Sequence, residues 1–218
     1  MNIPTSVLSF VDEPYRSSLS GCFLDDFLLD VSKIINKVDS DPVVQEVLNG
    51  PCESISDKIT FAYFQCLGLA IEAAMSGNYG IGAVVVNSGY NVVVTGKNRV
   101  FENNYPLAFQ AHAEMDALQN LFTTYPQIDT SKLKVLSSLE PCPMCTIGIM
   151  NSGIKSVHIG SLDELGGWPI TNHNLMLPVF KEISVSTCYE KANIPEVLAI
   201  ALSDIFFLTK YQLDKELS

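Results

Sequence analysis

His112, Cys142 and Cys145 are the side chains in this 218-residue chain whose types and spacing could bind a transition metal, and Glu114 stands two residues after the histidine. Three such ligands leave one tetrahedral position open, which separates a catalytic zinc site from a closed structural one. Cys142 and Cys145 are three residues apart, so on a helix their sulfurs share a face. Lying directly after Pro141, they would also meet the unpaired N–H groups and positive end of that helix, which favours thiolate over thiol. A lone C-x-x-C is also the signal of a thioredoxin-type redox pair, and the His112-Ala113-Glu114 run upstream weighs against that reading. Taken singly, His112 would be an ordinary core or surface histidine and Glu114 a first-turn carboxylate helping a helix dipole. Residues i and i+2 project to different sides of a helix, so Glu114 suits reaching a metal-bound water rather than closing the coordination sphere.

The elements that must carry these groups can be read from apolar periods. Residues 1–20, with Pro4, Pro14 and scattered serines, read as an irregular arm. From Phe23 to Ile35 apolar positions recur at helical spacing, and Asp41-Pro42 opens a short helix that Asn49-Gly50-Pro51 ends. Ser56 or Asp57 should cap a longer, largely buried helix through Met75. Residues 81–86 and 92–96 form a hairpin around the 87–91 loop, and 98–110 is a connector without period. A helix begins near His112 and stops at Tyr125-Pro126, a strand occupies 132–139, and a helix over 142–151 ends at a left-handed Gly153. A strand over 156–160, a loop over 163–171, a short helix over 174–181, a strand over 183–187 and an amphipathic helix over 195–217 complete the chain. Strands alternating with helices after an opening hairpin argue for a mixed sheet between helical layers, a three-layer α/β/α domain.

Composition narrows the partners. With 24 acidic against 13 basic residues the formal charge is −11, so the global field repels phosphate backbones and makes nucleic acid an unlikely partner. No basic and apolar leader opens the chain and no apolar run spans a bilayer, which points to a cytoplasmic protein without a membrane partner. Four of the six cysteines, Cys22, Cys52, Cys66 and Cys188, stand alone and read as small buried hydrophobes.

Residues 82–160 resemble the cytidine and deoxycytidylate deaminase superfamily, and Glu140-Pro141-Cys142-Pro143-Met144-Cys145 is most similar to its branch of tRNA adenosine, guanine and cytosine deaminases. The resemblance implies a five-stranded sheet, zinc held by His112, Cys142 and Cys145 between two helix N-termini, and Glu114 as proton shuttle. It also implies that Asn98, just after the second strand, holds the base or ribose, although an asparagine there could equally be a turn residue. Ala113, Phe109 and Trp168 join Asn98 as expected substrate contacts, with Phe101 a further aromatic that could cover a ring or simply pack in the core. Where relatives carry Asp-Pro-Thr before Ala-His, this chain has Tyr105-Pro106-Leu107-Ala108-Phe109-Gln110, a longer connector. The division expected is a helical extension over 1–55 and a deaminase domain over 56–218. The function implied is zinc-dependent deamination of a small aminated heterocycle by a homodimer. A tRNA adenosine deaminase and a non-catalytic zinc subunit are the alternatives; the intact Glu114 argues against the last.

Overall fold

The computed structural model describes residues 6–19, 26–105 and 108–216. Along them run the helices α1 (Tyr15–Leu19), α2 (Asp26–Asp39), α3 (Pro42–Asn49) and α4 (Ile55–Met75), then the hairpin strands β1 (Gly82–Val86) and β2 (Val92–Lys97). There follow α5 (Ala113–Thr124), β3 (Lys134–Leu139), α6 (Pro143–Ser152), β4 (Ser156–Ser161), α7 (Pro178–Ser184), β5 (Cys188–Lys191) and α8 (Glu196–Glu216). The strands form one mixed sheet in the order β2-β1-β3-β4-β5, with β1 antiparallel to both neighbours and β3, β4 and β5 parallel.

Because side chains alternate across a strand, each strand serves two cores. Val84, Val86 and Leu136 join α4 and α8 on one face of the sheet. Ala83, Val85 and Val135 join Ala117 and Leu121 of α5 and Ile149 of α6 on the other. The result is the expected three-layer α/β/α arrangement. It also explains the sequence of α4, which is apolar around most of its circumference because the sheet, α8 and the N-terminal residues cover it from several sides. Its cap is Ser54 rather than Ser56 or Asp57: the Ser54 side chain accepts from the Asp57 N–H and the Asp57 carboxylate accepts from the Ser54 N–H, a reciprocal capping box.

The N-terminal residues depart from the irregular arm expected. Val7–Phe10 is a turn of 3-10 helix, α1 follows, and Val7 and Val11 are fully buried in the cluster built on α4. Close approach makes this possible, since a Cβ on Gly68 of α4 would stand 2.2 Å from the Phe10 carbonyl oxygen. The helix expected from Phe23 is described only from Asp26, and Cys22 lies outside the described residues. Near the C-terminus the expected strand over 183–187 is absent. Ser184 closes α7, which starts at Pro178, and Val185 is 86% exposed. The short helix expected over 174–181 is split into a 3-10 turn at His173–Leu175 and α7. The β-branched residues over 183–187 found no partner strand, whereas Cys188–Lys191 runs alongside β4 and pairs despite its weak propensity. Cys188 is therefore exposed on an edge strand rather than buried; Cys66 is buried as expected and Cys52 is partly so.

Candidate metal centre and its cavity

The three ligand candidates are assembled by two helix starts at one end of the sheet. His112 is the N-cap of α5, Cys142 the N-cap of α6, and Cys145 lies in the first turn of α6 behind Pro143. Neither His112 nor Cys142 spends its side chain on capping, so both remain available as ligands. The donor atoms of the three residues all lie within 4.8 Å of one another, with Cys142 Sγ 3.5 Å from His112 Nδ1. Among the described residues this is the one such group of three.

The electrostatics of the cluster call for a cation. The Cys142 thiol is drawn down to about 4, first by a hydrogen bond from Cys145 and then by His112. Cys145 is pushed well up, chiefly because it donates to Cys142 and because it is buried. His112 is raised by its bond to Cys142. Two thiolates this close repel one another, and a positive ion at their focus would let both ionise. Two thiolates and an imidazole at helix N-termini are a donor set that fits zinc.

Glu114 sits in the first turn of α5, buried, and accepts from Ser137 Oγ of β3 at 3.0 Å. Burial is the first cause holding its carboxyl above the ordinary range, which suits a group that takes up and releases protons. Asn98 follows β2 and is fully buried; its Oδ1 accepts from the Val100 N–H at 3.2 Å, while its Nδ2 has no hydrogen-bond partner. A buried amide with an unmet donor is costly unless something arrives to accept from it.

His112, Glu114, Asn98 and Cys142 open on one cavity of about 300 Å³. Tyr79, Leu139, Phe206, Leu165 and Lys210 are among the other residues that line it. The aromatics expected to touch substrate stand apart from this cavity. Phe109 is 68% exposed, and Trp168 packs edge-on against Phe180 with ring centroids 5.6 Å apart; neither lines the cavity. Ala113 is fully buried in the core beneath α5 rather than in the wall. The rings come instead from Tyr79, before β1, and Phe206, on α8, with centroids 6.2 Å apart, and Phe101 packs on the Tyr79 ring at 5.4 Å. No local pattern marks Tyr79 or Phe206, since sheet topology alone brings them to His112. Ser137 is one of two adjacent serines buried in β3, and only the structure shows which of them faces Glu114.

The 163–171 loop owes its place to Glu140. One carboxylate oxygen accepts from the N–H groups of Ile170 and Thr171 at 2.7 and 2.8 Å. The other accepts from the Asp163 N–H at 3.3 Å and from the Thr171 hydroxyl. The loop's first residues, Asp163, Leu165 and Gly166, thereby become cavity wall.

The chain is similar to known deaminases. The family model of the cytidine and deoxycytidylate deaminase zinc-binding region matches residues 58–161. The tRNA-specific adenosine deaminase of Haemophilus influenzae is 33% identical over 101 residues, 46% of this chain and 57% of its own length. That of Aquifex aeolicus is 32% identical over 111 residues, 49% of this chain and 68% of its own. The chain spans less than two thirds of the length of most curated relatives it matches. A solved tRNA:A34 deaminase, studied for A-to-I editing at the wobble position of transfer RNA, superposes with a TM-score of 0.51 at 25% identity. The superposition covers 58% of this chain and 93% of that one.

Proposed function

This chain belongs to the cytidine and deoxycytidylate deaminase family, and from that premise we propose that it is a zinc-dependent hydrolytic deaminase of a small aminated heterocycle, a free nucleobase or nucleoside. The observation that carries the reading is Glu114, a buried carboxylate on the same cavity as the cluster of His112, Cys142 and Cys145. Those three side chains would hold the metal, and Zn²⁺, when bound, supplies the Lewis acidity that makes water nucleophilic near neutral pH. Glu114 takes one proton of the attacking water and hands it to the ring nitrogen, then takes the second from the hydroxyl now on the ring carbon and gives it to the amine; the C–N bond breaks as the C=O bond forms, and ammonia leaves. Ser137 keeps that carboxylate aimed through its hydroxyl. Asn98 offers its unpartnered amide N–H to an acceptor on the ring, and Tyr79 and Phe206 flank the ring.

The preference for a small substrate rests on charge. Lys210 is the one lysine or arginine among the described residues lining the cavity. Lys97 is committed to Glu72, and Arg99 to Asp116 and Glu102. An RNA substrate needs several cations for its phosphates. The identity with the Haemophilus enzyme favours a second reading, adenosine within tRNA. Ammonia release from a panel of bases, nucleosides, pterins and an anticodon stem-loop tests both. Turnover of at least one free heterocycle supports the first reading, and inosine formed in the stem-loop alone overturns it.

A homodimer is part of the proposal. What supports it is a groove of about 590 Å³ between α5 and α6, where Met115 and Phe122 leave apolar surface near Ala111, next to the metal cluster. Sedimentation giving monomer alone at micromolar concentration would remove that part and leave the chemistry standing.

A further inference from the structure

The unpartnered amide of Asn98 points attention to what holds that residue in place. Lys97, one position earlier, buries its ammonium: its side chain is 11% exposed and its Nζ lies 2.9 Å from Glu72 Oε2, on a side chain 4% exposed. The other oxygen of Glu72 accepts the Asp12 N–H at 2.8 Å. The Lys97 ammonium also stands 5.0 Å from the centre of the Tyr15 ring, and the Tyr15 hydroxyl lies 3.0 Å from Ser76 Oγ at the end of α4. On the opposite side Asp116 of α5 takes the Lys97 N–H at 3.0 Å and Arg99 Nε at 3.3 Å, and accepts from the Tyr105 hydroxyl. Two buried carboxylates thus grip the residues before and after Asn98, one of them joined to the N-terminal segment.

Replacing a buried ion pair by apolar groups is often neutral or better for stability, so this pair is poorly explained as a source of stability alone. What a charged hydrogen-bonded pair supplies is a fixed direction. Here the direction fixed is that of the backbone leaving β2, which aims Asn98. We propose that Glu72 and Lys97, with residues 6–19 docked on them through Asp12 and Tyr15, are positioning residues that hold Asn98 in the substrate cavity. The N-terminal segment is on this account a working part of the site. The inference rests on the deaminase reading for the role of Asn98, though the clamp itself can be read without substrate.

The test uses the full zinc-loaded chain. Lys97→Met alone would leave Glu72 buried without its partner, so the main variant is the neutral pair E72Q/K97M. Tyr15→Leu serves as a milder second that keeps the ion pair. For E72Q/K97M the expected result is unchanged zinc content and KM raised by about tenfold or more against a smaller change in kcat, the scale of effect that misplacing a contact produces. Tyr15→Leu should move KM the same way by less. Two readouts separate positioning from general loosening. In an Asn98→Ala background the E72Q/K97M pair should add nothing further to KM, because the clamp acts through Asn98. Amide hydrogen exchange over residues 97–101 should quicken while that of α6 does not. A KM effect that persists in full without Asn98, or unchanged exchange over 97–101, overturns the inference. If the wild type turns over nothing in the substrate panel, the deaminase reading falls, and the exchange measurement alone decides the clamp.

Discussion

At the scale of single residues the proposed site divides into groups that would bind metal and groups that would move protons, and substitutions should separate the two. Glu114 contacts Ser137 but belongs to no ligand trio, so Glu114→Gln should keep one zinc per chain and lower kcat by roughly 10²–10⁴-fold, the usual worth of general acid–base catalysis. Metal analysis and steady-state rates on one preparation check this; zinc lost from Glu114→Gln would make the carboxylate a ligand and undo the division. Cys145→Ala should instead lose the metal, since two remaining donors no longer make a trio. His112, Glu114, Cys142 and Cys145 were readable because metal chemistry demands fixed residue types at short spacings along the chain. Phe109 and Trp168, which stand apart from the cavity, carried no such signal. An aromatic can serve core, surface or pocket equally well, and only its surroundings decide.

At the scale of elements, the order of strands and helices was legible because β1 is a short β-branched run buried on both faces and α4 an apolar run too long for a strand. The misread C-terminal strand shows where such signals fail. Propensity in 183–187 counts for little when an edge position needs only backbone pairing with β4, and Cys188–Lys191 supplied that. The buried 3-10 turn at Val7–Phe10 was invisible because its packing surface, around Gly68, lies some sixty residues on. A similar approach couples the sheet to the metal helix. A Cβ on Gly96 would stand 2.2 Å from the Ala117 nitrogen and 2.4 Å from the Ala113 oxygen, backbone atoms of α5 that cannot swing aside. Gly96→Val should therefore push β2 off α5, cost about 1–3 kcal/mol or more by overpacking, and disturb His112 at the head of that helix. Thermal unfolding with zinc content measures it; a variant of wild-type stability and full metal would show that β2 can shift without moving α5.

At the scale of the whole molecule the governing quantity is charge. The chain carries −11 overall, and no helix among its described residues is long and apolar enough to cross a membrane. Its two cations beside Asn98, Lys97 and Arg99, are tied to carboxylates, one of them in a clamp that reaches the N-terminal segment. On the proposed reading such a surface does not gather phosphates, whereas a protein making six to ten phosphate contacts loses roughly 10³–10⁵ in affinity between about 50 and 200 mM salt. Turnover of an uncharged base or nucleoside involves no such contacts. Its kcat/KM should therefore change by less than about twofold over that range, since Debye screening reaches buried groups only weakly. A steep fall in kcat/KM with salt, on any substrate the protein accepts, would show that phosphates are being neutralised at a surface that composition and the cavity lining do not reveal. The substrate would then be a nucleic acid.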